Sequence, residues 1–244
     1  MIPKLTERAE ALVLSYIAIR RAVGISGLML PLALGLGGLA VEVPIQDNIS
    51  SYYHTPLRDI FVGTMCAIGV FLLCYRGHDY AESWTANIGC VAALSVALFP
   101  LDAGSDPLVQ TSVVGYVHTL SGGLFFLALA FYSLYHFPRS STPDAEDEPH
   151  VWERNAIYRA SGLVILACML LMGGYLFLAP QAWREFANDW NFLFFAESIA
   201  TWAFAAAWLT KGRAMVADVA VDLLAIPREV ILPKITHQIH RPRH

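Results

Sequence analysis

Six apolar runs separated by short polar stretches dominate the pattern of this chain. They cover about Ala22–Val43, Leu57–Tyr75, Trp84–Leu101, Thr111–His136, Ala160–Leu178 and Trp190–Leu209. Each lies in or near the range of about 17–25 residues that carries a helix across the hydrocarbon of a bilayer. Ahead of the first run, residues 1–21 interleave Lys4, Arg8, Arg20 and Arg21 with apolar positions, the pattern of an interfacial helix. Residues 138–153 are rich in Ser, Pro, Asp and Glu and are expected to be a solvated acidic linker. Beyond residue 210, Asp218, Asp222, Arg228 and Glu229 interrupt the apolar pattern too often for a seventh span. The expected fold is therefore all-α, a polytopic membrane bundle of six transmembrane helices. It divides into an N-terminal interfacial helix (1–21), a membrane domain (22–210) and a tail (211–244).

Composition agrees. Of the 244 residues, 56% are hydrophobic and only 15% charged, against roughly 25% charged in soluble domains. Mean hydropathy is +0.50. The net charge of −4 offers no basic field for nucleic acid, so none is expected as a partner. Six Trp and ten Tyr suit interfacial belts. Cys66, Cys74, Cys90 and Cys168 lie inside apolar runs without a C-x-x-C pair and are expected to be free thiols. Arg20-Arg21 precedes a run long enough to span, and no A-x-A site follows it, so that run is expected to be retained rather than cleaved. With six spans both termini share a side, and fourteen of the 16 Lys and Arg residues fall there. Only Arg58 and Arg184 fall opposite. The positive-inside rule then makes both termini cytoplasmic and turns the loop Asp47–Asp59 outward.

That loop, DNISSYYHTPLRD, is the densest polar stretch between two apolar runs. Ionisable groups at membrane depth are costly and are site candidates by default. Asp59 opens the second span, Asp102 follows the third, and His118 and Glu197 lie about two turns inside the fourth and sixth. At 1.5 Å per residue the last two sit roughly 10 Å below the outer surface. With His54, Arg58, Ser51 and Tyr53 of the loop, these residues are expected to line one outward-facing pocket. His118, Ser121, Gly122 and Phe125 share a helix face. Glu197, following Asn191 and a run of apolar residues, needs a cation, a proton or a partner.

Three chemistries fit such a set. A lipid headgroup or small polar ligand would pair its anionic part with Arg58 and its amine or cation with the carboxylates. A divalent metal on His54 and His118, completed by Asp102 or Asp59, would activate water against a lipid ester, with Glu197 as general base. No H-E-x-x-H motif occurs, and Ser50 or Ser51 beside His54 lacks a G-x-S-x-G elbow. A proton- or ion-coupled transporter would titrate Glu197 and His118, but no repeat or paired broken helix accompanies them. Asn48-Ile49-Ser50 is a formal glycosylation sequon on the outward loop.

Ile49-Ser50 in the loop, then Pro56, then Phe61 and Gly63 opening the second span, resemble the DUF998 family of bacterial six-span membrane proteins. The layout of that family is similar to the Frag1/DRAM/Sfk1 group. The resemblance covers most of the chain. It implies six spans, a place in the bacterial inner membrane and a lipid-facing role, and it supplies no reaction. The stretch Tyr52–Asp59 is richer than the pattern of those families.

Overall fold

The structure, a computed structural model, describes residues 3–75, 77, 79–104, 110–139 and 150–213, with backbone alone for 3–16. Most of the expected acidic linker and the tail beyond residue 213 lie outside the described residues. Every regular element among those described is helical. The order is α1 (Pro3–Ala40), a 3-10 turn (Ser50–His54), α2 (Arg58–Cys74), α3 (Tyr80–Leu98) and α4 (Val113–Phe131). A π-helical turn (Tyr132–His136) and α5 (Phe137–Arg139) extend α4, and α6 (Val151–Phe177), α7 (Gln181–Asp189) and α8 (Phe192–Lys211) follow.

Several boundaries move from the expected ones, each for a local reason. α1 passes through Arg20-Arg21 without a break, so residues 3–21 and the first apolar run form one helix. α3 begins at Tyr80 because the Asp79 carboxylate caps it, accepting from the Glu82 N–H at 2.7 Å. Glu82, which lies between the second and third apolar runs, is therefore helical and only 2% exposed. α6 starts at Val151 and takes in the end of the expected linker, with Glu153 buried. The stretch around Arg184, Glu185 and Asp189, between the fifth and sixth apolar runs, is the helix α7. Four helical segments, Ile17–Ala40, Val113–Arg139, Val151–Phe177 and Phe192–Lys211, are long and apolar enough to cross a membrane. α2 and α3, with 17 and 19 residues, reach about 25 and 28 Å, close to the roughly 30 Å of bilayer hydrocarbon.

Six helices close a ring: α1 packs on α2, α2 on α3, α3 on α4, α4 on α6, α6 on α8, and α8 back on α1. Neighbours run in opposite directions, as the contacts at the two ends require. At one end, called here the basic end, Arg20 meets Tyr75, Tyr75 meets Glu82, Arg154 meets Thr210 and Lys211 meets Phe137. At the other, the loop end, Asp47 meets Phe194, His54 meets Leu101 and Asp102 meets Ser112. Gly24 and Gly27 let α1 lie directly against Leu209 and Phe204 of α8. An aromatic cluster of Tyr75, Tyr132, Phe137 and Trp208, with ring centroids 5.2–5.9 Å apart, fills the ring toward the basic end. Outward, large apolar side chains such as Leu39, Val91, Leu120 and Leu170 stand exposed, more than a water-facing surface carries.

Candidate functional site

The loop that sequence singled out is a structured plug. Asn48 is buried, and its Oδ1 accepts from the Ser51 N–H at 2.8 Å, fixing the turn that starts the 3-10 helix. A glycan on that asparagine has no room. The Asp47 carbonyl accepts from the Phe194 N–H at 2.9 Å, taking up a free donor at the start of α8. The Ile49 N–H donates to Glu197 Oε2 at 2.7 Å. His54 Nε2 sits 2.8 Å from the Leu101 carbonyl; a carbonyl only accepts, so that nitrogen carries the proton. Tyr52 is wholly buried against Phe194, and burial pushes its hydroxyl pKa up. Backbone and side chain together thus pin the plug to α3 and α8.

Below the plug, the ring holds a cavity of about 520 Å³ that all six of its helices line. Phe61, Met65, Val96, Phe125, Met169 and Phe204 give its wall an apolar character. Against that wall stand two ionisable groups, His118 from α4 and Glu197 from α8, with Ser50 above them. His118 Nδ1 lies 2.7 Å from the Phe99 carbonyl and by the same logic donates to it. A neutral ring so held keeps Nε2 as an acceptor. Glu197 binds one N–H through Oε2 and keeps further acceptor capacity. Thr201 has no proton to offer, because its hydroxyl donates to the Glu197 carbonyl at 2.7 Å, and its oxygen can only accept.

Of the eight expected site residues, His118 and Glu197 line this cavity, and the others are placed elsewhere. Ser50 lines it where Ser51 was expected. Arg58 is exposed and bound to its own neighbour: Nη2 donates to the Tyr53 hydroxyl at 2.7 Å, and the guanidinium lies 4.3 Å over the Tyr53 ring. Asp59 is exposed in the first turn of α2, where the helix dipole favours a carboxylate. Asp102 serves the backbone. It accepts from Thr111 N and Oγ1, from Ser112 N and from the Ser112 hydroxyl, so it ties the end of α3 to the start of α4. Those bonds, the Ser112 hydroxyl first, hold its pKa down to about 2. His54 and His118 occupy different settings, one exposed and one buried. Among the described residues no three His, Cys, Asp or Glu side chains gather where a metal could be held. The metal-assisted reading therefore has no ligand set in this arrangement.

A second polar centre, at the basic end, escaped the sequence reading. Tyr75 donates to Glu82 Oε1 at 2.6 Å, Arg20 Nη2 donates to Tyr75 at 3.3 Å, and Tyr132 donates to the Glu82 carbonyl at 2.6 Å. His136 Nε2 lies 3.0 Å from Thr85 Oγ1, which itself donates to the Ala81 carbonyl. The available signal was the Asp79-x-x-Glu82 spacing, which marks a helix start. No family model matches the chain, and no curated protein or solved structure matches it.

Proposed function

We propose that this chain is a six-span integral membrane protein with cytoplasmic termini, and that its chamber binds a lipid-like molecule with an amine at its polar end. The observation that carries the reading is the chamber itself: an apolar wall with acceptor atoms of His118 and Glu197 set into it. A carboxylate away from water needs a paired cation or proton. An ammonium supplies charge and N–H donors for both side chains, and a hydrocarbon chain suits the Phe, Met and Leu lining. The volume falls in the range of about 300–1,000 Å³ usual for ligand sites. Membrane residence is supported by the apolar exterior and by α7, whose Trp183 and Phe186 stand exposed beside Trp190 like an interfacial belt. The resemblance to bacterial six-span proteins of lipid-facing role points the same way and favours an inner membrane.

The test uses protein reconstituted in phosphatidylcholine vesicles. Hexadecylamine retained by the protein is measured by mass spectrometry, with hexadecane as the comparison chain. Wild type is expected to retain the amine over the alkane. Glu197→Gln is expected to cut amine retention by about thirtyfold or more, since removing one partner of a buried charge pair costs about 2 kcal/mol or more. Equal retention of both chains by wild type sinks the reading.

A further inference from the structure

We infer that the chamber opens sideways, between α4 and α6, and that its ligand enters from the bilayer rather than from water; this rests on the ligand reading above. Over Val113–Phe131 of α4 the seam with α6 is thin, and the π-helical turn and α5 that extend α4 carry the rest of the contact. It is closed toward the basic end, where a Cβ on Gly162 of α6 would collide with Leu134 and press on Ser133. Toward the loop end it parts. Thr119, Gly122, Gly123 and Phe126 form one stripe of α4, and Met169, Met172, Gly173 and Leu176 form the facing stripe of α6. Both follow the i, i+3, i+4, i+7 spacing of a single helix face. A Cβ built on Gly123 or Gly173 would meet nothing within 4 Å. Side chains on both lips belong at once to the cavity wall and to the outer surface: Leu120 is 74% exposed, Leu124 46% and Leu127 51%, and Phe177 across the gap is 73% exposed.

The alternative way in, from water at the loop end, is where the plug sits, pinned by its bonds to Phe194, Glu197 and Leu101. An apolar slit suits a chain already dissolved in hydrocarbon and gives nothing to a hydrated solute. The occupant it fits is a single-chain amphiphile, its tail drawn through between Leu124 and Leu176 and its amine reaching His118 and Glu197.

The experiment uses a hexadecylamine bearing a diazirine in its chain, and the matching diazirine hexadecane, in phosphatidylcholine vesicles holding the full chain. After illumination, labelled peptides are mapped by mass spectrometry. Wild type is expected to be labelled on both lips and, resolved residue by residue, on the cavity-facing Leu193, Glu197, Thr201 and Phe204 of α8, as distinct from its outward-facing Phe195, Ile199 and Trp202. Gly123→Phe on one lip and Gly173→Phe on the other are each expected to lose the label on those cavity-facing residues and to keep it on Phe195, Ile199 and Trp202. The smaller Gly123→Leu and Gly173→Leu fill the same gap and are expected to act alike. Gly174→Phe adds the same bulk beside the gap without lining the cavity, and is expected to label like wild type. Wall labelling that persists in all the blocking variants overturns the portal, as does a wild-type wall that neither chain labels. If both chains label the wall equally and blocking abolishes both, the portal stands and the amine reading falls.

Discussion

Asp102 stands where α3 has ended and α4 has not begun, and the four hydrogen bonds it accepts from Thr111 and Ser112 make it a clasp rather than a ligand group. Ser112 in turn caps α4, accepting from the Gly115 N–H at 2.9 Å. The folded pKa of Asp102 is depressed from 3.8 to about 2. A depressed carboxylate contributes stability that is fully present above its unfolded pKa and is lost as pH falls through its folded one. Asp102→Ala is therefore expected to lower the melting temperature at neutral pH. The gap to wild type should shrink from about pH 4 down and close near pH 2, measured by thermal unfolding in detergent. A gap that stays constant into acid would deny the clasp. At this scale the sequence marked residues by cost and could not tell which cost was already met. His118 and Glu197 meet theirs in part from single backbone groups, Phe99 and Ile49, distant in the chain. Asp102 meets its own from residues nine and ten positions on, a pairing that no periodicity encodes.

Among the helices, glycines divide into those that are pressed and those that are free. A Cβ on Gly24 would come 2.7 Å from Leu209 Cγ and 3.0 Å from its backbone nitrogen, and one on Gly27 would come 2.9 Å from the Phe204 ring. Close approach of two backbones is how membrane helices gain dispersion contact where apolar burial gives no drive. Trp202 Nε1 adds a hydrogen bond to the Leu28 carbonyl at 3.2 Å along the same seam. Gly24→Leu is expected to part α1 from α8 and to destabilise by about 1–3 kcal/mol, the usual cost of overpacking. Gly63→Leu, where a Cβ meets nothing within 4 Å, is expected to be nearly neutral. Denaturation of the two variants side by side checks this, and equal loss in both would refute the seam. The use of small residues for close packing in α1 was legible from their density in the first apolar run. The partner was not, since nothing in the sequence says that α1 meets α8 rather than α4. Apolar length gave the long helices. It misplaced their starts wherever a polar cap, such as Asp79, begins a helix ahead of its apolar run.

As a whole the molecule is a ring with unlike ends, and the unlikeness follows from charge. At one end Arg20 joins Tyr75, Arg21 donates to the carbonyls of Gly212 and Arg213, Arg154 to Thr210 and Lys211 to Phe137. Arg21, Arg154 and Lys211 cover carbonyls left open where helices stop, where the dipole favours positive charge. At the other end Arg58 and Arg184 lie on Tyr53 and Tyr175. The sequence counted these charges along the chain; the fold gathers them in space, because an even number of antiparallel helices returns each alternate loop to the same end. The orientation we propose places the basic end in the cytoplasm and the α4–α6 gap in the outer half of the bilayer. A version with its four cysteines replaced and one added at exposed Ala103 or exposed Arg213 tests it. Ala103→Cys is expected to react with an impermeant maleimide on intact cells, and Arg213→Cys only after the cells are opened. The reverse pattern would turn the ring over and move the slit to the inner leaflet. Reaction of both from outside would mean that the helices between these positions do not cross an odd number of times, and the six-span plan would fail with the orientation.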